Sequence, residues 1–118
     1  MPTTRFESDV RLEEGRSVID LRGDIDGAAK DDLTAVYEQA SEGGATTILL
    51  NFAGVEYINS TGIALIVGLL GRARAEGRSL AACGLSDHYR EIFQITRLSD
   101  FISIYPDEAT SPSDTERS

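Results

Sequence analysis

Two adjacent hydroxyls followed by a glycine, Ser60-Thr61-Gly62, stand where one strongly apolar segment gives way to another. Upstream, Thr47-Ile48-Leu49-Leu50-Asn51-Phe52 is short, β-branched and almost unbroken in its hydrophobicity, the pattern of a strand covered on both faces. Downstream, Ile63, Ile66, Val67 and Leu70 recur at helical spacing, which makes them the expected core face of a helix. The hydroxyls therefore sit at a helix N-terminus, where backbone N–H groups lack intrahelical partners and the macrodipole favours negative charge. Two roles suit them there. Either hydroxyl can cap the helix, or either can accept a phosphate that its own domain would tolerate.

Other groups with chemical potential are sparse. Ser60, His88 and Asp26 supply the residue types of a hydrolase triad, but no Gly-x-Ser-x-Gly elbow exposes a nucleophile, and a lone histidine on a polar helix start is ordinarily solvated. His88 and the single cysteine, Cys83, lack companions at metal-ligand spacing, and one cysteine allows no internal disulfide. Cys83 reads as a small buried hydrophobe. No Walker-type loop is present. The chain is accordingly expected to be no enzyme, with no catalytic residue, no metal and no cofactor.

The surrounding chain must hold that junction in place. At 118 residues it suits one domain with one core. Its net charge of -9 argues against nucleic acid or an anionic membrane as partner, since phosphate binding needs clustered Lys and Arg. Arg72, Arg74 and Arg78 form the densest basic group, at a helix end where the dipole accounts for them. No apolar run is long enough to span a membrane and Met1-Pro2-Thr3-Thr4 has no signal core, so a cytoplasmic chain without membrane insertion is expected.

Phe6–Leu12 and Ser17–Arg22 alternate and flank the polar Glu13-Glu14-Gly15-Arg16, which predicts an antiparallel hairpin with a turn longer than two residues. Ala29, Leu33, Val36, Tyr37 and Ala40 line one helical face, with Asp31 and Asp32 suiting its first turns and Gly43-Gly44 its end. Strand, helix and strand then make a right-handed crossover whose second strand is central. The helix after the junction runs from about Thr61 to Glu76 and stops at Gly77. It is apolar nearly all round. Leu65 and Leu69 lie off the expected core face and suggest a protein-contact surface beside Thr61, whereas Ala64, Gly68 and Gly71 form a small-residue stripe that suits close packing on the sheet or a partner. Ser79–Gly84 reads as a strand, Ser86 as the cap of a helix with Tyr89, Ile92, Phe93 and Thr96 on its core face, and Ile102–Tyr105 as a last strand. Residues 106–118 are rich in Ser, Thr, Pro and acids and read as an acidic disordered tail.

The order of a strand, Tyr57-Ile58-Asn59-Ser60-Thr61-Gly62 and an apolar helix resembles the STAS domain family, specifically the bacterial anti-sigma factor antagonists, whose usual signature here is Asp-Ser-Ser-Gly. Gly23-Asp24-Ile25-Asp26 resembles the family's Gly-Glu-Leu-Asp segment, and Leu98-Ser99-Asp100-Phe101 its helix exit. The resemblance spans residues 6–105, and the domain is taken as 1–105. It implies an α/β fold, a mixed but mostly parallel sheet of about five strands with three or four packed helices, in the order β-β-α-β-α-β-α-β. It also implies a phosphoacceptor at Thr61, or else Ser60, and a partner surface of Asp24, Asp26, Asn59, Ser60, Thr61, Gly62, Leu65 and Leu69. The implied partners are an anti-sigma factor with serine kinase activity, which the unmodified protein binds so that the sigma factor is released, and a phosphoserine/phosphothreonine phosphatase. Two departures from the pattern stand out: Asn59 in place of the acid, and Thr61 in place of the commoner serine. Similar single STAS domains also serve as accessory subunits of membrane lipid transporters, or as stressosome scaffold subunits.

Overall fold

The computed structural model describes residues 5–13 and 15–107. The elements run β1 (Glu7–Glu13), β2 (Arg16–Ile25), α1 (Lys30–Ser41), β3 (Thr47–Ile58), α2 (Ser60–Ala75), β4 (Ser79–Cys83), α3 (Asp87–Ile95) and β5 (Ser103–Tyr105), with single 3-10 turns at Gly27–Ala29 and Leu98–Asp100. This is the expected α/β order. The strands lie β1-β2-β3-β4-β5 across one sheet, with β3 in the middle. β1 pairs antiparallel to β2 and every other neighbour pair is parallel.

Sequential parallel strands joined by right-handed crossovers put their helices on one face. The core follows that geometry. Ile19, Leu21, Ile48, Leu50 and Phe52 of the sheet pack with Leu33, Val36 and Tyr37 of α1, Ile66, Leu70 and Ala73 of α2, and Phe93 of α3. A smaller cluster on the opposite face, Val18, Leu49, Ala81 and Cys83 with Tyr105 against it, contains no helix residue. Alternate residues of β2 and β3 thus serve two cores, which is why Thr47–Phe52 reads as continuously apolar.

Local chemistry sets the ends. All five residues on the expected face of α1, from Ala29 to Ala40, are buried. After α2, Gly77 takes φ +76°. Its N–H reaches the Arg74 carbonyl at 3.2 Å and that of Arg78 reaches Ala73 at 2.8 Å, closing the helix as such glycines do.

Three expectations need correction. The β1–β2 turn is tight, because Glu13 pairs with Arg16, and Gly15 supplies the φ of +86° that the chain reversal needs. β3 does not stop at Phe52 but runs to Ile58, its outer half exposed at Ala53, Gly54, Glu56 and Tyr57. The core face of α2 is Ile66, Leu69, Leu70 and Ala73, so Leu69 is buried and Val67, expected inside, stands exposed. Of the tail expected from Pro106, residues 108–118 lie outside the described residues.

Candidate functional site

The long β3 delivers the chain to the site. β2 keeps pairing with it to the tip, with Asp24 opposite Tyr57 and Ile25 opposite Ile58. Beyond Ile58 the Asn59 N–H still donates to the Ile25 carbonyl at 3.2 Å. The turn into α2 is therefore built directly on the end of β2. Asp26 then caps the 3-10 turn ahead of α1, accepting from the Ala28 N–H at 3.0 Å.

The cap of α2 is Asn59. Its backbone is extended and its Oδ1 accepts the Gly62 N–H at 2.8 Å, the position an N-cap side chain fills. Ser60 and Thr61 consequently lie inside the first turn, both exposed, and neither hydroxyl takes a hydrogen-bond partner among the described residues. The capping role open to them on sequence grounds belongs to the neighbouring residue. No acidic side chain occupies the first turn of α2, so the positive end of the dipole is met by no carboxylate of its own helix.

Gly62 is required for space. A Cβ there would collide with the Ile25 carbonyl and crowd the Ile58 side chain at 3.0 Å. Its absence lets the helix start seat on the end of β2, which fixes the outward aim of the two preceding hydroxyls. Gly27 lies next to the same turn, since a Cβ built on it would stand 3.5 Å from Thr61 Cγ2. Asp24 and Asp26 are half-buried on this rim, and Tyr57 is exposed beside them. The arrangement gathers the expected residues 24, 26 and 59–62 at one end of the molecule.

Leu65 is half-buried and packs against the core, so only part of its side chain reaches solvent. Leu69 is too deep to contribute to an outer surface, and Val67, 46 % exposed, occupies that side instead. The stripe of small residues faces outward. Nothing lies within 4 Å of a Cβ built on Gly68 or Gly71, so close packing on the sheet does not explain them. The triad types do not assemble: Asp26 is spent on its cap, and the His88 ring lies edge-on to Tyr89 with centroids 4.8 Å apart. Cys83 is buried in the cluster on the other face of the sheet, where its Sγ lies 3.7 Å from Asn51 Oδ1. Among the described residues no three His, Cys, Asp or Glu side chains converge as metal ligands, and no helix is long and apolar enough to cross a membrane.

Tyr89 is a site residue that periodicity places only in the core. Its hydroxyl accepts the Ile58 N–H at 2.9 Å, one residue ahead of the cap. The signal for it in the sequence would have been a buried tyrosine needing a polar partner.

This fold, with a capped helix start presenting bare hydroxyls at the end of the central strand, defines a STAS domain. The family model described as "Mlab, STAS domain" matches residues 8–104, and the chain belongs to that family. Among similar proteins, the anti-sigma-B factor antagonist of Staphylococcus aureus (strain NCTC 8325 / PS 47) is 29% identical over 86 residues, covering 73% of this chain and 80% of the relative. The structure of the anti-sigma factor antagonist SpoIIAA in its unphosphorylated form superposes with a TM-score of 0.60 at 26% identity, over 77% of this chain and 83% of that one. An anti-sigma factor antagonist from Mycobacterium paratuberculosis shares the fold with a TM-score of 0.76 at 17% identity, over 89% of both chains.

Proposed function

We propose that this chain is an anti-sigma factor antagonist that works as a reversible phosphoswitch at Thr61, with Ser60 as the other candidate acceptor. The observation that carries the reading is the capping of α2 by Asn59, which leaves two exposed hydroxyls without a structural task at a helix N-terminus. The names of the similar proteins point the same way.

In the unmodified state the start of α2, the rim from Asp24 to Gly27 and the exposed part of Leu65 dock on an anti-sigma factor with serine kinase activity, and the sigma factor is released. That kinase moves the γ-phosphoryl group of ATP to the hydroxyl oxygen. An O–P bond forms, ADP leaves, and the hydroxyl proton passes to solvent. A phosphoserine/phosphothreonine phosphatase reverses the change. The phosphate brings about -1.5 to -2 charges. At roughly 6 Å from a carboxylate on the anti-sigma factor, with an effective dielectric of about 20 to 40, the repulsion is on the order of 2 to 5 kcal/mol before screening. A hundredfold loss of affinity needs only about 2.7 kcal/mol. The switch therefore requires no refolding, and the helix dipole holds the phosphate in place. Asn59 fits the same scheme, since it caps without placing a second negative charge beside the phosphate.

The test is to incubate the chain with anti-sigma kinases and ATP and locate the phosphate by mass spectrometry. Thr61→Ala should bind the anti-sigma factor yet accept no phosphate at that position, and Thr61→Glu should bind weakly. A Thr61→Glu chain that folds and binds like wild type would remove the charge mechanism. Phosphate found on Ser60 alone would move the acceptor by one residue, and co-purification with a transporter ATPase in place of a kinase would favour the lipid-transport reading.

A further inference from the structure

β4 pairs with β3 only from Thr47 to Asn51, so β3 runs on past its neighbour from Phe52 to Ile58. Along that overhang the N–H groups aimed toward β4 have no strand to meet. Most of the stretch is wet, but Ile58 is only 5 % exposed, and a buried N–H left without an acceptor is costly. The acceptor comes from α3. Tyr89 lies in the first turn of that helix, 9 % exposed, and its hydroxyl oxygen receives the Ile58 N–H. Its own backbone N–H is held by the Ser86 hydroxyl at 3.3 Å, so the residue is seated by the cap of α3.

Three bonds, two of them from other elements, thus fix a short piece of chain. Ile58 is tied to α3 through Tyr89, Asn59 to the Ile25 carbonyl at the end of β2, and Gly62 to the Asn59 cap. Ser60 and Thr61 are the residues between the last two ties. We propose that Tyr89 is a positioning residue for the phosphoacceptor turn, so that the placement of α3 sets how the two hydroxyls are presented. Phosphoryl transfer demands that the attacking oxygen be held within a fraction of an ångström of its line of approach, and displacement of that order costs rate far more than it costs docking. The coupling makes the first turn of α3 a place from which the switch can be tuned. This inference rests on the reading of Ser60 and Thr61 as acceptors, and its test separates the two.

The variant is Tyr89→Phe in the full chain, which keeps the ring and deletes only the hydroxyl. Amide hydrogen exchange should quicken at Ile58 and Gly62 at least about tenfold more than at Leu80–Ala82 of β4. With an anti-sigma kinase that phosphorylates the wild-type chain, kcat should fall about tenfold while KM stays within about twofold. Ser86→Ala, which loosens the seat of Tyr89 and leaves its hydroxyl in place, should move both readouts in the same direction by less. Exchange that rises equally in the junction and in β4, or a KM that rises while kcat holds, overturns the positioning role. If no kinase phosphorylates the wild-type chain, the acceptor reading fails, and the exchange comparison still decides whether Tyr89 holds the turn.

Discussion

At its C-terminal end α2 is stitched to α1 and to the following loop by side chains. The Tyr37 hydroxyl donates to Glu76 at 2.9 Å, Arg72 bridges Glu38 and Glu76 while lying 5.0 Å over the Tyr37 ring, and Arg78 reaches the Ser41 and Ala45 carbonyls. The hydrogen bond from Arg72, then that from Tyr37, keep the Glu76 carboxyl below its ordinary range, while burial first, then the bond to Glu76, push the Tyr37 hydroxyl up. At the N-terminal end every tie has a backbone group on at least one side: the Asn59 side chain accepts the Gly62 N–H, the Tyr89 hydroxyl accepts the Ile58 N–H, and the Asn59 N–H donates to the Ile25 carbonyl. The exposed side chains there, Ser60 and Thr61, are committed to nothing. One helix is thus anchored by ion pairs and bonds between side chains where it ends, and by bonds made to its backbone where it begins. A site whose side chains must be read by another molecule cannot spend them on its own stability, and ties made to backbone groups leave the Ser60 and Thr61 hydroxyls available.

The sharpest way to break this contrast is at Gly62. Gly62→Ala puts a methyl group into the Ile25 carbonyl, and backbone cannot step aside as a flexible side chain can. The expected cost is about 3 kcal/mol, at the upper end of overpacking effects, measured by urea denaturation. A loss below about 1 kcal/mol would show that the helix start floats on β2 and that its hydroxyls are not held by backbone.

The next effect is at the cap. Asn59→Ala removes the acceptor of the Gly62 N–H and should cost about 1 kcal/mol. Asn59→Asp should be close to neutral in the unmodified chain, because a carboxylate caps as well as an amide. If Asn59→Ala were silent, Ser60 or Thr61 would have taken over the cap, and the case for their having no structural task would fall.

The contrast between the two ends also explains what could be read in advance. The strand and helix order, all five residues on the inner face of α1 and the junction itself follow from apolar periodicity, which burial enforces. α2 defeats that method. With apolar residues at 63, 65, 66, 67, 69 and 70, the sets Ile63-Ile66-Val67-Leu70 and Ile66-Leu69-Leu70-Ala73 satisfy the same helical spacing. The seat of Gly62 against Ile25, a contact between distant parts of the chain, puts that residue and the second set on the buried side. The overhang of β3 is hidden for a related reason. Ala53, Gly54, Glu56 and Tyr57 are exposed, so no hydrophobic signal marks them, and their strand character comes from pairing with β2. Tyr89 reads as one more core residue, because the N–H it satisfies exists only once β3 outruns β4.

The smallest expected effect lies at the anchored end and decides whether the two ends are independent. Tyr37→Phe deletes one hydrogen bond to Glu76, which keeps Arg72 and Arg78 and stays in reach of water, so the cost should be about 0.5 to 1 kcal/mol. Because the Glu76 carboxyl titrates below its ordinary value in the folded chain, the stability it contributes is present above about pH 4.3 and is lost as pH falls through that lower folded value. α2 has 16 residues and so spans about 24 Å, well beyond the distance over which substitutions usually couple. The Asn59→Ala and Tyr37→Phe losses should therefore add to within about 0.5 kcal/mol in the double variant. Exchange at Gly62 should respond to the first substitution and ignore the second. A double variant that departs from additivity by more than that would mean that α2 shifts as a rigid lever, its anchored end setting the angle of its start, and the hydroxyls would then be positioned from both ends.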